Sequence, residues 1–197
     1  DLKMTERVNM KMVGVPEGSF RHWASKFVAA GYKVGRVEQM ETPDDMKKRN
    51  QGVSRAKGSK DNVVGRSLMQ ILTAGTVMDN DMIMDYNSPY LLCLKENQTN
   101  SSFGVSFCDV STGKVFLTFI ERDDVSLTAL ETLLQQVCAK EIVYEKNSLS
   151  KHTMHILKHK LNVVPTFTVL NKAKLCWDYA RTLEEIEKNS YFSNNEW

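Results

Sequence analysis

No run of about 18 apolar residues, the length a membrane-crossing helix requires, occurs in the chain. Its first residues, "DLKMTERVNM", carry charges where a secretory leader has an apolar stretch. These two absences predict a soluble intracellular chain. Cysteine is sparse as well. Cys93, Cys108, Cys138 and Cys176 stand far apart, with no Cys-x-x-Cys pair and no histidines at zinc-finger spacing, so no zinc-finger ligand set is expected. Each has apolar neighbours, which predicts buried, reduced thiols. Without a secretory leader, the sequons at Asn97 and Asn100 imply no glycosylation.

Phosphate-cradling loops are missing too. No G-x-G-x-x-G occurs, and "GVPEGSFRHW" at residues 14–23 has Gly14 and Gly18 but no following Lys-Ser/Thr. Pro16 and Glu17 occupy the loop, and the carboxylate repels a phosphate. Nucleotide binding by this chain is therefore not expected. Nor does spacing assemble a Ser/His/Asp or Cys/His constellation.

What is present is ordinary globular material: 197 residues, 42% hydrophobic and 25% charged, enough for one or two domains. Ten methionines suit core filling. The formal net charge of +2 hides an asymmetry. Residues 1–78 hold 14 Lys and Arg against 8 Asp and Glu, a net of +6, whereas residues 87–197 hold 12 against 13. The basic part is the candidate for meeting a polyanion.

After Pro16, the spacing of Phe20, Trp23, Ala24, Phe27 and Val28 predicts an amphipathic helix stopped at Gly31. Pro16 suits its first turn and Glu17 its positive end. "YKVGRVEQ" and "VVGRSLMQIL" read as strands. Between them, residues 41–62 carry six basic residues from Lys47 to Lys60 and no apolar period, which predicts a mobile loop. "TAGTVMDNDMIMDYNSP" reads as a turn and an acidic stretch closing the first unit at Pro89.

From Tyr90 the pattern changes. "YLLCLKE", "FGVSFCDV" and "KVFLTFI" read as an antiparallel meander, its last two strands joined by "STG". A helix is expected over residues 123–138, with Leu127, Leu130, Leu133, Leu134 and Val137 on one face and Asp123 and Asp124 at its N-terminus. The strand "EIVYE", a helix over 150–160, the strand "NVVPTFTV" and a helix from Asp178 follow, a mixed α/β layer structure. The chain stops at "YFSNNEW" with neither a last strand nor a polar tail, and reads as cut.

A meander followed by α/β units is how ribonuclease H-type nucleases begin, and those hold two cations on carboxylates, one in the middle of the first strand. "YLLCLKE" has no central Asp or Glu, and Asp109 stands beside "STG", where capping the turn is its expected job. His152, His155 and His159 share a helix face among lysines but lack a carboxylate or thiolate to complete a metal site, so a solvated surface is expected there.

In order and spacing, "GVPEGSFRHWASKFVAAGYKVGRVEQMETP", "QILTAGTVMD", "FGVSFCDVSTGKVF" and "IVYEKNSLS" resemble the MutS family of DNA mismatch-recognition proteins over nearly the whole chain. "RVEQMETP" with the basic loop resembles the eukaryotic subunit that senses the mismatch in a MutSα-type heterodimer, with the plant-specific seventh homologue as a candidate within that group. The resemblance implies an α/β chain. Residues 1–86 would be part of an α+β mismatch-binding domain with a mixed sheet, and residues 87–197 part of a ribonuclease H-like mixed α/β connector. It implies binding of mismatched double-stranded DNA in post-replicative repair, in the nucleus, as a fragment that is not itself an enzyme. The implied partners are a second MutS-homologue subunit in a heterodimer and a MutL-type protein meeting the connector. No cofactor is expected in this chain, while ATP and magnesium are expected for the full-length protein, whose lever, clamp and ATPase domains are not in this sequence. The family's Phe-x-Glu motif, an aromatic wedge beside the mispaired base with a carboxylate bonded to it, is expected shortly upstream of Asp1.

On that match, Met12 in the tract before "GVP" lies near the groove, Gln39 ends the "VEQ" strand that approaches DNA, and Arg66 contacts the backbone. Arg7 is a looser match, because the segment between it and Met12 is shorter than in bacterial members. Lys11 is added from charge and position alone. Each could instead be a surface side chain without a ligand, and Met12 a core filler. Two further readings stay open: a ribonuclease H-like nuclease or resolvase using Asp109, and an interaction scaffold without specific DNA binding.

Overall fold

The computed structural model describes residues 3–51, 63–77, 90–171, 176–189 and 191. Its contacts divide the chain into two units, Asp1–Pro89 and Tyr90–Trp197. The basic residues from Arg55 to Lys60, the acidic stretch 78–89 and most of "YFSNNEW" lie outside the described residues.

In the first unit, β1 (Lys3–Arg7) and β2 (Met10–Gly14) form an antiparallel hairpin whose turn holds Asn9 at φ 68. Asparagine tolerates that left-handed conformation because its short polar side chain bonds locally. A single 3-10 turn, Glu17–Ser19, leads into helix α1 (Phe20–Ala29), so Pro16 precedes the helix and does not sit in its first turn. Gly31, at φ 84, stops it: Gly31 N donates to Val28 O, and Tyr32 N to Phe27 O. Those two bonds satisfy carbonyls the helix end would otherwise leave unpaired, and the Tyr32 ring packs edge-on to Phe27 at 6.4 Å.

Strands β3 (Val34–Gln39) and β4 (Arg66–Leu72) make a second antiparallel ribbon, with a register shift between Arg36 and Val37. Ala24 and Val28 of α1 bury against Leu72 and Val77, flanked by Phe20, Val34 and Ala74. The chain is α/β as expected. Where the resemblance implies one mixed sheet in this unit, the described strands pair as two separate two-stranded antiparallel ribbons.

The expected loop 41–62 is in part a helix, α2 (Pro43–Gln51). Its nucleus is reciprocal capping: Asp45 N donates to Thr42 Oγ1 (3.2 Å), while Thr42 N donates to Asp45 Oδ2 (3.3 Å). Pro43 occupies the first helical position, where its missing N–H costs nothing. Capping, not an apolar face, starts this helix, so a reading based on hydrophobic period overlooks it.

The second unit carries a five-stranded mixed sheet, the order expected of a meander extended by parallel strands. β5 (Leu91–Asn97), β6 (Ser102–Asp109) and β7 (Lys114–Ile120) run antiparallel, and β8 (Glu141–Glu145) and β9 (Thr166–Leu170) add parallel beyond β5, giving β7-β6-β5-β8-β9. Helices α3 (Thr128–Val137) and α4 (Lys151–His159) supply Leu130, Leu134, Val137, Ile156 and Leu157 to a core shared with Leu92, Leu94, Phe103, Val105 and Ile142. A last helix, α5 (Tyr179–Lys188), is capped by Asp178, which accepts from Arg181 N at 2.8 Å.

Three expectations shift here. Helix α3 begins at Thr128, not at Asp123, because the two aspartates reach forward over a turn in which Leu127 adopts φ 56. Asp124 accepts from Thr128 N, and Asp123 from Ala129 N and Leu130 N. Strand β9 begins only after Pro165, which cannot donate to a ladder. The cysteines are free but not buried: Cys93 is exposed and the other three are half-buried. Strand alternation explains Cys93, since Leu92 and Leu94 take the core face of β5 and turn the residue between them outward.

Candidate nucleic-acid interface

The five expected DNA-facing residues fall on the two ribbons of the first unit. On the hairpin, Arg7 pairs with Met10, Lys11 with Glu6, and Met12 with Thr5. The side chain of Arg7 lies outside the described residues. Successive strand residues face opposite ways, so Met12 shares a face with Thr5 and Met10, while Lys11 shares the other with Glu6 and Val13. Met12 is 44% exposed, so it is not a core filler here, and every residue of β2 is exposed.

On the second ribbon, Gln39 and Arg66 are direct cross-strand partners, both exposed. Their Cβ atoms stand about 5 Å apart by strand geometry, so one phosphate or groove edge can engage both. The guanidinium offers a planar fork of donors to a phosphate, and the amide offers both a donor and an acceptor to a base edge. The same face of the ribbon carries Val37, Leu68 and Ile71, each more than half exposed. The opposite face turns Val34, Arg36 and Leu72 toward α1, where the Arg36 guanidinium lies 5.3 Å over the Phe20 ring and 2.6 Å from Glu38.

Sequence reasoning overlooked what fixes this ribbon end. Glu41, just beyond Gln39, accepts from Gly65 N at 2.6 Å and pairs with Arg49 of α2 at 2.9 Å, while Arg49 also donates to Val63 O and Met40 N to Gly65 O. Arg49 is thus engaged in structure and is no free cation of a loop. The available signal was "ETPDD", a capping sequence that places α2 and its arginine beside the strand end. Glu41→Ala is expected to cost about 1–2 kcal/mol, since it strands the Gly65 amide and leaves Arg49 half-exposed without its partner. Faster hydrogen exchange at Gly65, with Leu72 unchanged, checks it.

The nuclease reading fares differently. Asp109 Oδ1 accepts from Ser111 Oγ (2.6 Å), Ser111 N (3.0 Å) and Thr112 N (3.4 Å), closing the turn between β6 and β7. The Ser111 hydroxyl, above all, holds this carboxyl below the usual carboxylate range. Oδ1 is thus committed to the turn. Among the described residues no group of three His, Cys, Asp or Glu could hold a metal ion. Asp109→Ala is expected to lose about 2 kcal/mol, whereas Asp109→Asn keeps the accepting oxygen and loses about half that. Because the folded value is depressed, the charge contributes stability above the unfolded value of about 3.9 and loses it as pH falls through the lower folded value. Thermal melts from neutral pH downward should show that share of the fall in the parent and not in the asparagine variant.

Comparison with known proteins places these units. A model of MutS domain I matches residues 1–81, and one of MutS domain II matches residues 89–195. DNA mismatch repair protein MSH6 of Saccharomyces cerevisiae is 34% identical over 216 aligned positions, covering 100% of this chain and 17% of that protein. Human Msh6 is 35% identical over 188, covering 91% and 14%, and Arabidopsis thaliana MSH7 is 29% identical over 197, covering 94% and 16%. The chain spans less than a fifth of the length of these relatives. With a family model on each unit, the second alone covering more than half of the residues, the chain belongs to the MutS family.

Proposed function

We propose that this chain binds double-stranded DNA through its first unit, as part of a protein that recognises mismatches in post-replicative repair. The observation that carries the reading is the exposed Gln39–Arg66 pair, held at a ribbon end by Glu41, in a unit of net charge +6 over residues 1–78. Phosphate contacts supply the affinity and the register, and carry no sequence information. Preference for a mismatch comes from deformability: a wedge in the minor groove requires the duplex to kink, and a mispaired step unstacks at lower cost.

On the same reading, binding and not catalysis belongs to this chain. The parent protein acts in the nucleus as a heterodimer with a second MutS homologue of the MutSα type, hydrolyses ATP with magnesium elsewhere in its length, and meets a MutL-type protein through the second unit. The relatives' names as DNA mismatch repair proteins support the place in repair.

Arg66→Ala tests the contact directly. Fluorescence anisotropy with a labelled duplex at several salt concentrations should show the slope of log affinity against log salt becoming about one unit shallower, for matched and mismatched DNA alike. An unchanged slope would remove Arg66 from the interface.

A further inference from the structure

Helix α4 carries a charge pattern unlike the rest of its unit. The segment 151–160 reads "KHTMHILKHK", without a single acid, in a part of the chain where acids slightly outnumber bases. Its core side is Thr153, Ile156 and Leu157. The other side exposes Lys151, His152, His155, Lys158 and His159. Helical spacing of three and four sets Lys151, His155, Lys158 and His159 in one stripe, and the two histidine rings stand 4.9 Å apart. Two carboxylates bond the two ends of this helix and not its exposed stripe: Glu131 pairs with Lys160 at 2.7 Å, and Glu96 accepts from Ser150 N at 2.6 Å.

This stripe rims a shallow depression of about 330 Å³ whose floor is Leu149 and Met154, with Lys151, His155, Lys158 and His159 around it. No carboxylate lines it among the described residues. An apolar floor inside a cationic rim selects its occupant by chemistry. A phosphate backbone satisfies the rim but offers nothing to Leu149 and Met154, and an apolar helix would leave the lysines uncompensated. A short acidic peptide with one or two apolar side chains satisfies both, the apolar group displacing water from the floor and the carboxylates meeting the rim. Methionine, unbranched and polarisable, suits a floor that must accept more than one side-chain shape.

We propose that this face of α4 is a docking site for an acidic peptide segment of a partner protein, anchored by an apolar side chain between Leu149 and Met154. The site lies on the second unit, whereas the DNA contacts proposed above lie on the first.

The probe is a fluorescein-labelled peptide, Asp-Glu-Asp-Leu-Phe-Asp-Glu, titrated with the whole chain by anisotropy. The parent chain should bind it, and a Lys151→Glu/Lys158→Glu variant should bind at least about tenfold more weakly. Lys151→Arg/Lys158→Arg should retain binding, which separates charge from any change of fold. A peptide with Ser-Ser in place of Leu-Phe should lose about tenfold, the scale of burying one large apolar side chain. Equal binding of the Ser-Ser peptide, or of the charge-reversed chain, would overturn the proposal. So would a duplex DNA that displaces the peptide from the parent and shows the same sensitivity to charge reversal, because the face would then be a nucleic-acid surface.

Discussion

Duplex DNA is expected to bind this chain about 40-fold more weakly at about 200 mM salt than at about 50 mM. The figure follows from counterion release. Three cations of the proposed interface, Arg7, Lys11 and Arg66, would give a slope near −2.7, and a fourfold rise in salt then changes affinity by about that factor. Anisotropy titrations at the two concentrations read it directly. The hairpin geometry makes Lys11 the instructive member. It lies on the opposite face from Met12 and across from Glu6, so a duplex resting on the Met12 face meets it only around the ribbon edge. Two paired strands are about 10 Å wide, and a lysine stem can bend around such an edge while its ammonium stays in water. Lys11→Ala should therefore reduce the salt effect from about 40-fold to about 12-fold, the value two contacts give. A parent chain that already shows the smaller value would leave Lys11 on the far face. No salt dependence at all would remove the DNA-binding reading of the first unit.

What the sequence made legible was whatever is written locally. The leucine spacing of α3, the alternation through β5 and β6, and Gly31 after α1 each depend on neighbours within a few positions, and the elements formed where those patterns lie. The parts that escaped depend on something else. Helix α2 has a capping sequence but no apolar face, so a search for period passes over it. The outward turn of Cys93 follows from strand parity, which apolar neighbours in sequence disguise. The candidate site shows the limit most clearly. Motif similarity points to Gln39 and Arg66 one at a time, yet their direct pairing depends on a register that shifts at Arg36/Val37, across 27 positions of chain. Nor does period reveal that Glu41, two residues beyond Gln39, bonds the Gly65 amide and Arg49 to hold that pair in place. The family resemblance supplied the roles; only pairing and hydrogen bonds show which residues meet.

Phe103→Ala is expected to destabilise the second unit by about 4 kcal/mol, a shift of about a thousandfold in its folded-to-unfolded ratio. Phe103 is fully buried on β6, at 0% exposure, within a core built from β5, β6, β8, α3 and α4. Removing the ring takes away its transfer free energy and leaves a cavity that close-packed neighbours on both layers fill only in part. Phe119 supplies the internal control. It is 67% exposed on β7 and pairs with Gly104, one residue on from Phe103 and therefore on the other face of the sheet. Phe119→Ala should change stability by less than about 0.5 kcal/mol. Urea unfolding followed by near-ultraviolet circular dichroism distinguishes the two, and similar losses would mean that the sheet buries both faces. The same variant tests the division of labour. The first unit has its own core in Ala24, Val28, Leu72 and Val77. The salt slope of DNA binding should therefore persist in Phe103→Ala at urea concentrations that unfold the second unit, whereas binding of the acidic peptide to α4 should vanish.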